Sequence, residues 1–383
     1  MGGLVGTVAP ILAFLFWAFY YFFIKRAVAA SGLFDVSDIK TKTVMLVFSA
    51  CLGYLSCSFF SVGAVFALHI IVFAGVVALV DLIVKAIGRS DYKHGKAGYG
   101  VWKRIVCSGI VPILVSAVLV FYGVFNMHNV VRTDYTVYTQ KSIRQDGYTV
   151  ALIADVHYGV SVDKDELISI CTEISKAKPD IVALCGDIVD EYTTLAGMKE
   201  VFAALGGIES EFGTYYVYGN HDRQEYTDER TFSEEQLKAT IEQNGITILS
   251  DEACEINDEL VIVGREDKSY KENGGRKSIA KLLDGVDKSK FVLTLDHQPK
   301  QYAENGKAGT DLLLSGHTHG GQIWPMNYIF EMFGLNDSLY GYTRINKRAQ
   351  AVVTSGLAGW GFPIKTAGAA EYAIVKILPD SAK

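Results

Sequence analysis

Four long apolar segments lie within the first third of the chain, and they constrain its fold more than any other feature. Each is long enough to cross a bilayer, because about 20 apolar residues span the hydrocarbon core as a helix. The segments are residues 4–24, 44–62, 64–87 and 105–125. Nearly uncharged segments of this length are rare in soluble domains. We therefore predict four transmembrane helices within residues 1–125.

The basic residues between these segments predict an orientation. The first connection contains Lys25, Arg26, Lys40 and Lys42, and the third contains Arg89, Lys93, Lys96, Lys103 and Arg104. The second connection has no basic residue. Loops rich in lysine and arginine stay on the cytoplasmic side. We expect a multi-pass protein of the cell membrane, with the N-terminus and everything after residue 125 outside the cytoplasm.

Charge also divides the chain. Residues 1–125 have a net charge of +6, and the remaining residues have a net charge of −12. Affinity for nucleic acid depends on neutralising phosphates with lysine and arginine, which an acidic surface does not do. We therefore expect no nucleic-acid partner for the second part of the chain.

Five short apolar runs in the second part have the length and composition of buried strands. They cover residues 150–154, 181–185, 215–218, 291–295 and 312–315. A block of polar residues follows each run. The blocks are Asp155-Val156-His157, Gly186-Asp187-Ile188-Val189-Asp190, Gly219-Asn220-His221-Asp222, His297-Gln298-Pro299 and Gly316-His317-Thr318-His319. Strand ends are where α/β folds assemble sites from distant residues. A mixture of Asp, His and Asn without thiolates suits two divalent ions such as Mn, Fe or Zn, arranged for hydrolysis.

In this order, the five blocks resemble the calcineurin-like metallophosphoesterases over roughly residues 148–377. The run from Gly316 to Gln322, followed by Pro325, is similar to a membrane-anchored bacterial branch that includes phosphoesterases of lipids and lipid precursors. The resemblance implies an α/β fold, a four-layer sandwich of two mixed sheets flanked by helices, in residues 148–383. Residues 126–147 are expected to form a juxtamembrane linker containing a short strand.

The resemblance also implies a role for each site residue. One metal ion is expected between Asp155, His157, Asp187 and His319, and a second between Asp187, Asn220, His297 and His317. Asp187 then bridges two ions, which clamp a phosphate and activate water. His221 is left to protonate or stabilise the leaving group, and Asp222 beside it is placed to orient the imidazole. Asp190 either caps a helix or supports the bridging loop.

Two features leave alternatives open. Where related sequences often have a late arginine, this chain has Lys365, so the basic residue that contacts phosphate is not identified. The segment 323–333 is aromatic and methionine-rich, with one charged residue. It either packs against the sheet or forms an exposed apolar rim at the bilayer surface, with Trp324 and Tyr328 as interfacial anchors.

The sequence therefore predicts a membrane-anchored two-metal phosphoesterase that hydrolyses a phosphodiester, pyrophosphate or phosphomonoester, with a lipid-linked phosphoester among the candidates. Three alternatives remain at this stage. They are a non-catalytic sensor that binds metal or phosphate, a phosphohydrolase of soluble nucleotides, and a transporter. Asp81 and Lys85, within the third apolar segment, either mark an ion path or form an i, i+4 pair with each other.

Overall fold

The computed structural model describes residues 2–56, 61–88 and 97–382, and the chain divides into two compact units between Gly123 and Val124. The first unit is helical, with α1 at Gly2–Ser31, α2 at Ile39–Ser56, α3 at Val62–Ile87 and α4 at Ala97–Ser108. The helix α5, Ile110–His128, begins in the first unit and ends in the second.

Local sequence explains several helix ends. Ser61 precedes α3, and its hydroxyl accepts a hydrogen bond from the Ala64 N–H, which satisfies one of the unpaired donors of the first turn. Gly109 separates α4 from α5 with a φ of +70°, a left-handed conformation that glycine adopts without strain. The apolar segment predicted to begin at residue 105 is therefore divided, and its long helix begins at Ile110.

Three helices of the described chain are long and apolar enough to cross a membrane: Ala13–Ser31, Val62–Ile87 and Ile110–His128. They overlap the first, third and fourth predicted segments, and the first of them begins and ends several residues later than predicted. The second predicted segment overlaps α2, which is not one of the three. Part of that segment, residues 57–60, lies outside the described residues, as do Arg89, Lys93 and Lys96 of the predicted cytoplasmic loop.

The two charged residues within α3 are paired with each other. Lys85 Nζ lies 2.6 Å from Asp81 Oδ2, one helical turn away. Trp102 Nε1 donates a second hydrogen bond to Asp81 Oδ1 over 3.1 Å. This arrangement agrees with the prediction of an i, i+4 pair and gives the two charges a structural role.

The second unit contains two six-stranded mixed sheets. In spatial order, the first comprises β1 Val130–Thr139, β12 Ala370–Pro379, β2 Tyr148–Ile153, β3 Ile181–Cys185, β4 Thr214–Val217 and β5 Ile246–Ile248. The second comprises β10 Gly341–Arg344, β11 Gln350–Val353, β9 Leu312–Ser315, β8 Phe291–Leu295, β7 Leu260–Gly264 and β6 Glu252–Glu255.

The expected linker is corrected by the structure. Residues 130–139 form β1, the edge strand of the first sheet, which pairs in parallel with all ten residues of β12. Val130 lies opposite Ala370, and Thr139 lies opposite Pro379. The first sheet therefore follows the end of α5 almost directly, with a single residue between His128 and Val130.

Helices cover the outer faces of both sheets. The helices α6 Lys164–Lys176, α7 Leu195–Gly206 and α8 Glu234–Gln243 pack on the first sheet, and α9 Ile279–Leu282 and α10 Tyr302–Ala308 pack on the second. One further helix, α11, comprises Met326–Met332, and short 3-10 turns occur at Glu272–Gly274, His319–Gly321 and Asp380–Ala382. The expected α/β arrangement of two mixed sheets flanked by helices is confirmed.

The core lies between the two sheets. Alternate residues of each strand point to opposite faces, so Val150 and Leu152 of β2 meet Leu293 and Leu314 of the second sheet. Because β2, β3 and β4 run parallel, as do β8 and β9, the loops after these strands leave from the same edge of their sheets. Those loops contain the five polar blocks.

Candidate metal centre

The backbone is strained at most of the expected metal ligands. Asp155, His157, Asp187, His317 and His319 have φ angles of 52°, 38°, 53°, 71° and 50°. Only ten non-glycine residues of the described chain have a positive φ, so half of them are expected ligands. Each such residue costs of order 1–3 kcal/mol and persists only where its surroundings enforce it. Strain concentrated at these positions indicates a functional site.

Six of the seven expected ligands form two compact groups. The first is Asp155, His157 and His319, and the second is Asp187, His297 and His317. Within each group, one potential ligand atom from each residue lies within 4.8 Å of the others. This is the partition expected from the sequence, with each group supplying the carboxylate and imidazole donors that borderline divalent ions prefer.

Asp187 faces both groups. Its Oδ2 lies 3.0 Å from His297 Nε2 and 3.8 Å from His157 Nε2. Its Oδ1 accepts a hydrogen bond of 2.8 Å from the His221 N–H, which fixes the orientation of the carboxylate. A Cβ at Gly219 would overlap the same Oδ1, so this position requires glycine for a steric reason.

Backbone carbonyls hold two of the histidines in the orientation of metal ligands. His297 Nδ1 donates to the Cys185 carbonyl over 2.8 Å, and His319 Nδ1 donates to the Ala358 carbonyl over 3.1 Å. These bonds place the proton on Nδ1 and leave Nε2 as the donor atom for a cation. Asp155 is held in a similar way, because both of its carboxylate oxygens accept from the His317 N–H.

Buried polar atoms without hydrogen-bond partners also suit a cation site. The Oδ1 of Asn220 and the Nε2 of His157 have no hydrogen-bond partner within the described residues, although both atoms are buried. Leaving a buried polar atom unpaired costs roughly 1–3 kcal/mol. The seventh expected ligand, Asn220, is therefore chemically suited to its predicted role.

Burial and neighbouring charges set the protonation of the site. Burial lowers the pKa of His317 to about 3, with a further contribution from His297, and it holds the pKa of His319 well below its usual value. For His297, burial alone would lower the pKa, but Asp187 and Asp155 raise it well above the ordinary value. The two carboxylates therefore favour the protonated form of His297, and a bound cation would compete with that proton.

His221 contacts a carboxylate, but not the one expected. Its Nδ1 lies 2.8 Å from Glu191 Oε2, and its ring packs 4.6 Å from Trp360 and 5.0 Å from Tyr226, measured between ring centroids. Burial alone would lower the pKa of His221, but Asp187 and Glu191 raise it above the usual value. Sequence reasoning did not identify Glu191. The only indication of its role in the sequence is that it directly follows the Asp187–Asp190 block.

Asp222 holds the backbone of the metal site. Its Oδ2 accepts hydrogen bonds from the Asp187 and Gly219 N–H groups, and its Oδ1 accepts from those of Ile188 and Val189. Burial and the charge of Asp187 raise the pKa of Asp222, and the bonds from these N–H groups oppose the shift. The expectation that Asp222 orients the His221 imidazole is therefore corrected: it fixes the loop that carries Asp187.

Asp190 and Lys365 also have supporting positions. Asp190 Oδ2 lies 3.3 Å from His157 Nδ1, and Asp190 Oδ1 accepts from the N–H groups of Tyr192 and Thr193, which agrees with a role in supporting the bridging loop. Lys365 is fully buried, and its ammonium donates to the carbonyls of Ser355, Gly356 and Ala358. Burial lowers the pKa of Lys365 to about 7. The lysine supports the loop that binds His319 and is not exposed to bind phosphate.

Comparisons with known proteins agree with this geometry. The sequence model of the family described as calcineurin-like phosphoesterase matches residues 148–321. A metallophosphoesterase of Bacillus subtilis is 31% identical over 228 residues, which cover 56% of this chain and 80% of the relative. The chain belongs to the calcineurin-like phosphoesterase family. The family expected from the sequence is thereby confirmed.

Two further relatives match different shares of this chain. A metallophosphoesterase of Helicobacter pylori is 30% identical over 61% of this chain, which spans only 60% of that relative's length. A transmembrane protein with metallophosphoesterase domain from Danio rerio is 24% identical over 88% of this chain and 75% of its own length. Among solved structures, a dimetal phosphatase from Danio rerio matches 56% of this chain and 88% of its own, with 15% identity and a TM-score of 0.36.

Proposed function

We propose that this phosphoesterase hydrolyses a phosphoester with two divalent metal ions, Mn, Fe or Zn, held by Asp155, His157, Asp187, Asn220, His297, His317 and His319. The observation that supports it most directly is the position of Asp187. A single oxygen of that carboxylate faces one histidine from each group, which is the geometry expected of a bridging ligand. A pair of ions about 3.5–4 Å apart clamps a phosphate and supplies a nucleophilic hydroxide at neutral pH.

The surrounding residues support a catalytic role for His221. Glu191 accepts from Nδ1 and so orients the imidazole, while stacking against Trp360 and Tyr226 limits rotation of the ring. The Nε2 atom is then available to donate a proton to a leaving oxygen. The raised pKa of His221 keeps it protonated closer to neutral pH, as a general acid requires.

The substrate is a phosphodiester, a pyrophosphate or a phosphomonoester, and we favour one that is lipid-linked. Support comes from the membrane-candidate helix α5, which ends one residue before β1, and from the exposed apolar residues of α11 close in sequence to His317 and His319. A soluble nucleotide is the second candidate, because the metal site alone recognises only the phosphate.

We further propose that α2 is a fourth membrane crossing and that the phosphoesterase unit lies outside the cytoplasm. With an even number of crossings, both ends of the helical region lie on the same side of the membrane. The connections rich in lysine and arginine lie on the other side, and such connections favour the cytoplasm. A sensor without turnover is disfavoured because every expected ligand position is occupied by a suitable residue. A transporter is disfavoured by the pairing of Asp81 with Lys85.

Purified full-length protein tests the proposal. Metal content and turnover are measured on phosphatidic acid in vesicles, a diacyl phosphodiester in vesicles, nucleotides and p-nitrophenyl phosphoesters, with and without chelator. We expect chelator-sensitive hydrolysis. The substitution Asp187→Asn should remove most of the metal and nearly all activity, because one change weakens both coordination spheres.

The matched control is Asp337→Asn, which changes an exposed carboxylate on a surface loop. Normal metal content and full turnover in the Asp187 variant would refute the bridging role. Faster hydrolysis of soluble nucleotides than of both vesicle substrates would assign the enzyme to the second candidate class.

A further inference from the structure

The segment after the metal-site histidines exposes large apolar side chains on an ordered backbone. Within α11, which contains no buried residue, Tyr328 and Met332 are one turn apart and share a face. Met332 is 74% exposed and Phe333 69% exposed, and Leu335 follows them. We define Tyr328, Met332, Phe333 and Leu335 as the apolar ridge. Within residues 323–333, Tyr328, Met332 and Phe333 are exposed, whereas Ile323 is buried and Trp324 and Phe330 are half-buried, so only part of the segment can form an apolar rim.

The ridge is not a loose loop. The Phe333 N–H donates to the Ile329 carbonyl over 3.0 Å, and the Leu335 N–H donates to the Phe330 carbonyl over 3.3 Å. Only one charged residue, Glu331, occurs between positions 323 and 335. Burying a side chain of this type stabilises a protein by roughly 1.5–3 kcal/mol, so an ordered segment that leaves four of them in water indicates a surface with a partner.

One loop connects the ridge to the last membrane-candidate helix. We call residues 362–368 the anchor loop. On one side, Asn126 Nδ2 in the last turn of α5 donates to the Lys365 and Gly368 carbonyls over 3.0 and 2.6 Å. A third bond, between His128 Nδ1 and the Ser161 carbonyl over 3.1 Å, also fixes the end of α5.

On its other side, the anchor loop binds the start of the ridge segment. The Trp324 N–H donates to Thr366 Oγ1 over 3.0 Å, and the N–H groups of Thr366 and Ala367 both donate to the Gln322 carbonyl over 2.9 Å. The ridge begins four residues after Trp324. The anchor loop therefore contacts the end of α5 on one side and Gln322 and Trp324, which precede the apolar ridge, on the other.

We propose that the apolar ridge lies in the headgroup region of the bilayer that α5 enters. Because α5 is apolar as far as Phe125 and is fixed to the anchor loop by Asn126, that loop lies at the membrane surface, and the ridge is beside it. Aromatic and aliphatic side chains on a short helix are the chemistry that interfaces of this kind accept. In this position the ridge would hold the metal site beside phosphate groups at the bilayer surface. This consequence rests on the function proposed above.

The test uses full-length protein in phosphatidylcholine vesicles containing lipid with brominated acyl chains, which quench nearby tryptophan. Phe333→Trp adds a reporter on the ridge, and the signal of the native tryptophans is subtracted with unsubstituted protein. The control is Lys347→Trp, since Lys347 is exposed and lines a small cavity with Tyr138 and Thr139 at the far end of β1. That end lies about 30 Å along the strand from Val130.

We expect the added fluorescence at position 333 to be lost to brominated lipid and the added fluorescence at position 347 to be retained. Equal quenching at the two positions, or none at 333, would overturn the proposal. If Phe333→Asp instead converts a dimer to a monomer without any quenching at 333, the ridge contacts a second copy of the chain and the proposal is wrong.

Neither reporter requires turnover, so failure of the proposed function would leave the quenching result interpretable.

Discussion

The substitution Asp222→Asn tests the structural account of the metal site most directly. The buried carboxylate accepts four backbone hydrogen bonds, two at each oxygen. Asparagine offers one oxygen, so in either orientation its amide N–H₂ faces two N–H donors. Each buried donor left without an acceptor costs about 1–3 kcal/mol, and two such donors therefore cost about 2–6 kcal/mol.

The assay is thermal unfolding of full-length protein in detergent, with and without chelator. Trp324 and Trp360 belong to the second unit and report its unfolding by fluorescence. For a domain of this size, 1 kcal/mol shifts Tm by about 2–4 °C, so Asp222→Asn should lower Tm by at least about 4 °C even with chelator present. Metal affinity should fall as well, because the Asp187 N–H loses its fixed acceptor.

The matched control is Glu191→Gln, which changes the carboxylate that contacts the His221 imidazole. This substitution should reduce turnover and leave Tm within about 2 °C of the unsubstituted protein, since the amide oxygen of glutamine can still accept the hydrogen bond from the His221 imidazole. If the Asp222→Asn protein has the same Tm as the unsubstituted protein and loses only turnover, the reasoning is refuted, because Asp222 would then act through His221.

Two other predictions concern the leaving group and the orientation. The His221→Ala protein should retain its metal ions while turnover falls by roughly 10²–10⁴-fold. The loss should be smaller for p-nitrophenyl esters, because their leaving group needs little protonation. Equal losses for good and poor leaving groups would contradict a role for His221 as the acid. A protease outside intact cells should cleave the second unit, and a membrane-impermeant thiol reagent should not label a cysteine introduced at Lys93 beyond the background of the native cysteines. The opposite accessibility would place the catalytic unit in the cytoplasm.

Much of the fold could be predicted because its central strands are buried on both faces. Such strands consist of continuous apolar residues, and the polar loop that follows marks where each ends. The prediction for 181–185 coincides with β3, and that for 291–295 coincides with β8. The resemblance of the blocks after these strands to the calcineurin-like family also implied the residues that the structure brings together in two groups.

The remaining features depend on contacts that local sequence does not encode. The alternating pattern near residues 135–139 indicates a short strand, but local sequence does not show that the only partner of this edge strand, β12, lies far along the chain. Asp222 is next to His221 in sequence, but its side chain points to the backbone of another loop. Glu191 meets His221 only because that loop folds back.

The pairing of β1 with β12 has a consequence for biosynthesis. The strand β1, which is made directly after α5, has a single neighbour in the sheet. That neighbour is β12, the last strand of the second unit. Because β12 also lies between β1 and β2, the first sheet cannot close until the whole second unit has emerged. Until then, the edges of β1 and β2 that pair with β12 remain open, and open strand edges promote aggregation of a nascent domain. A chain ending before residue 370 would lack β12, and so would leave β1 without its partner and the first sheet incomplete.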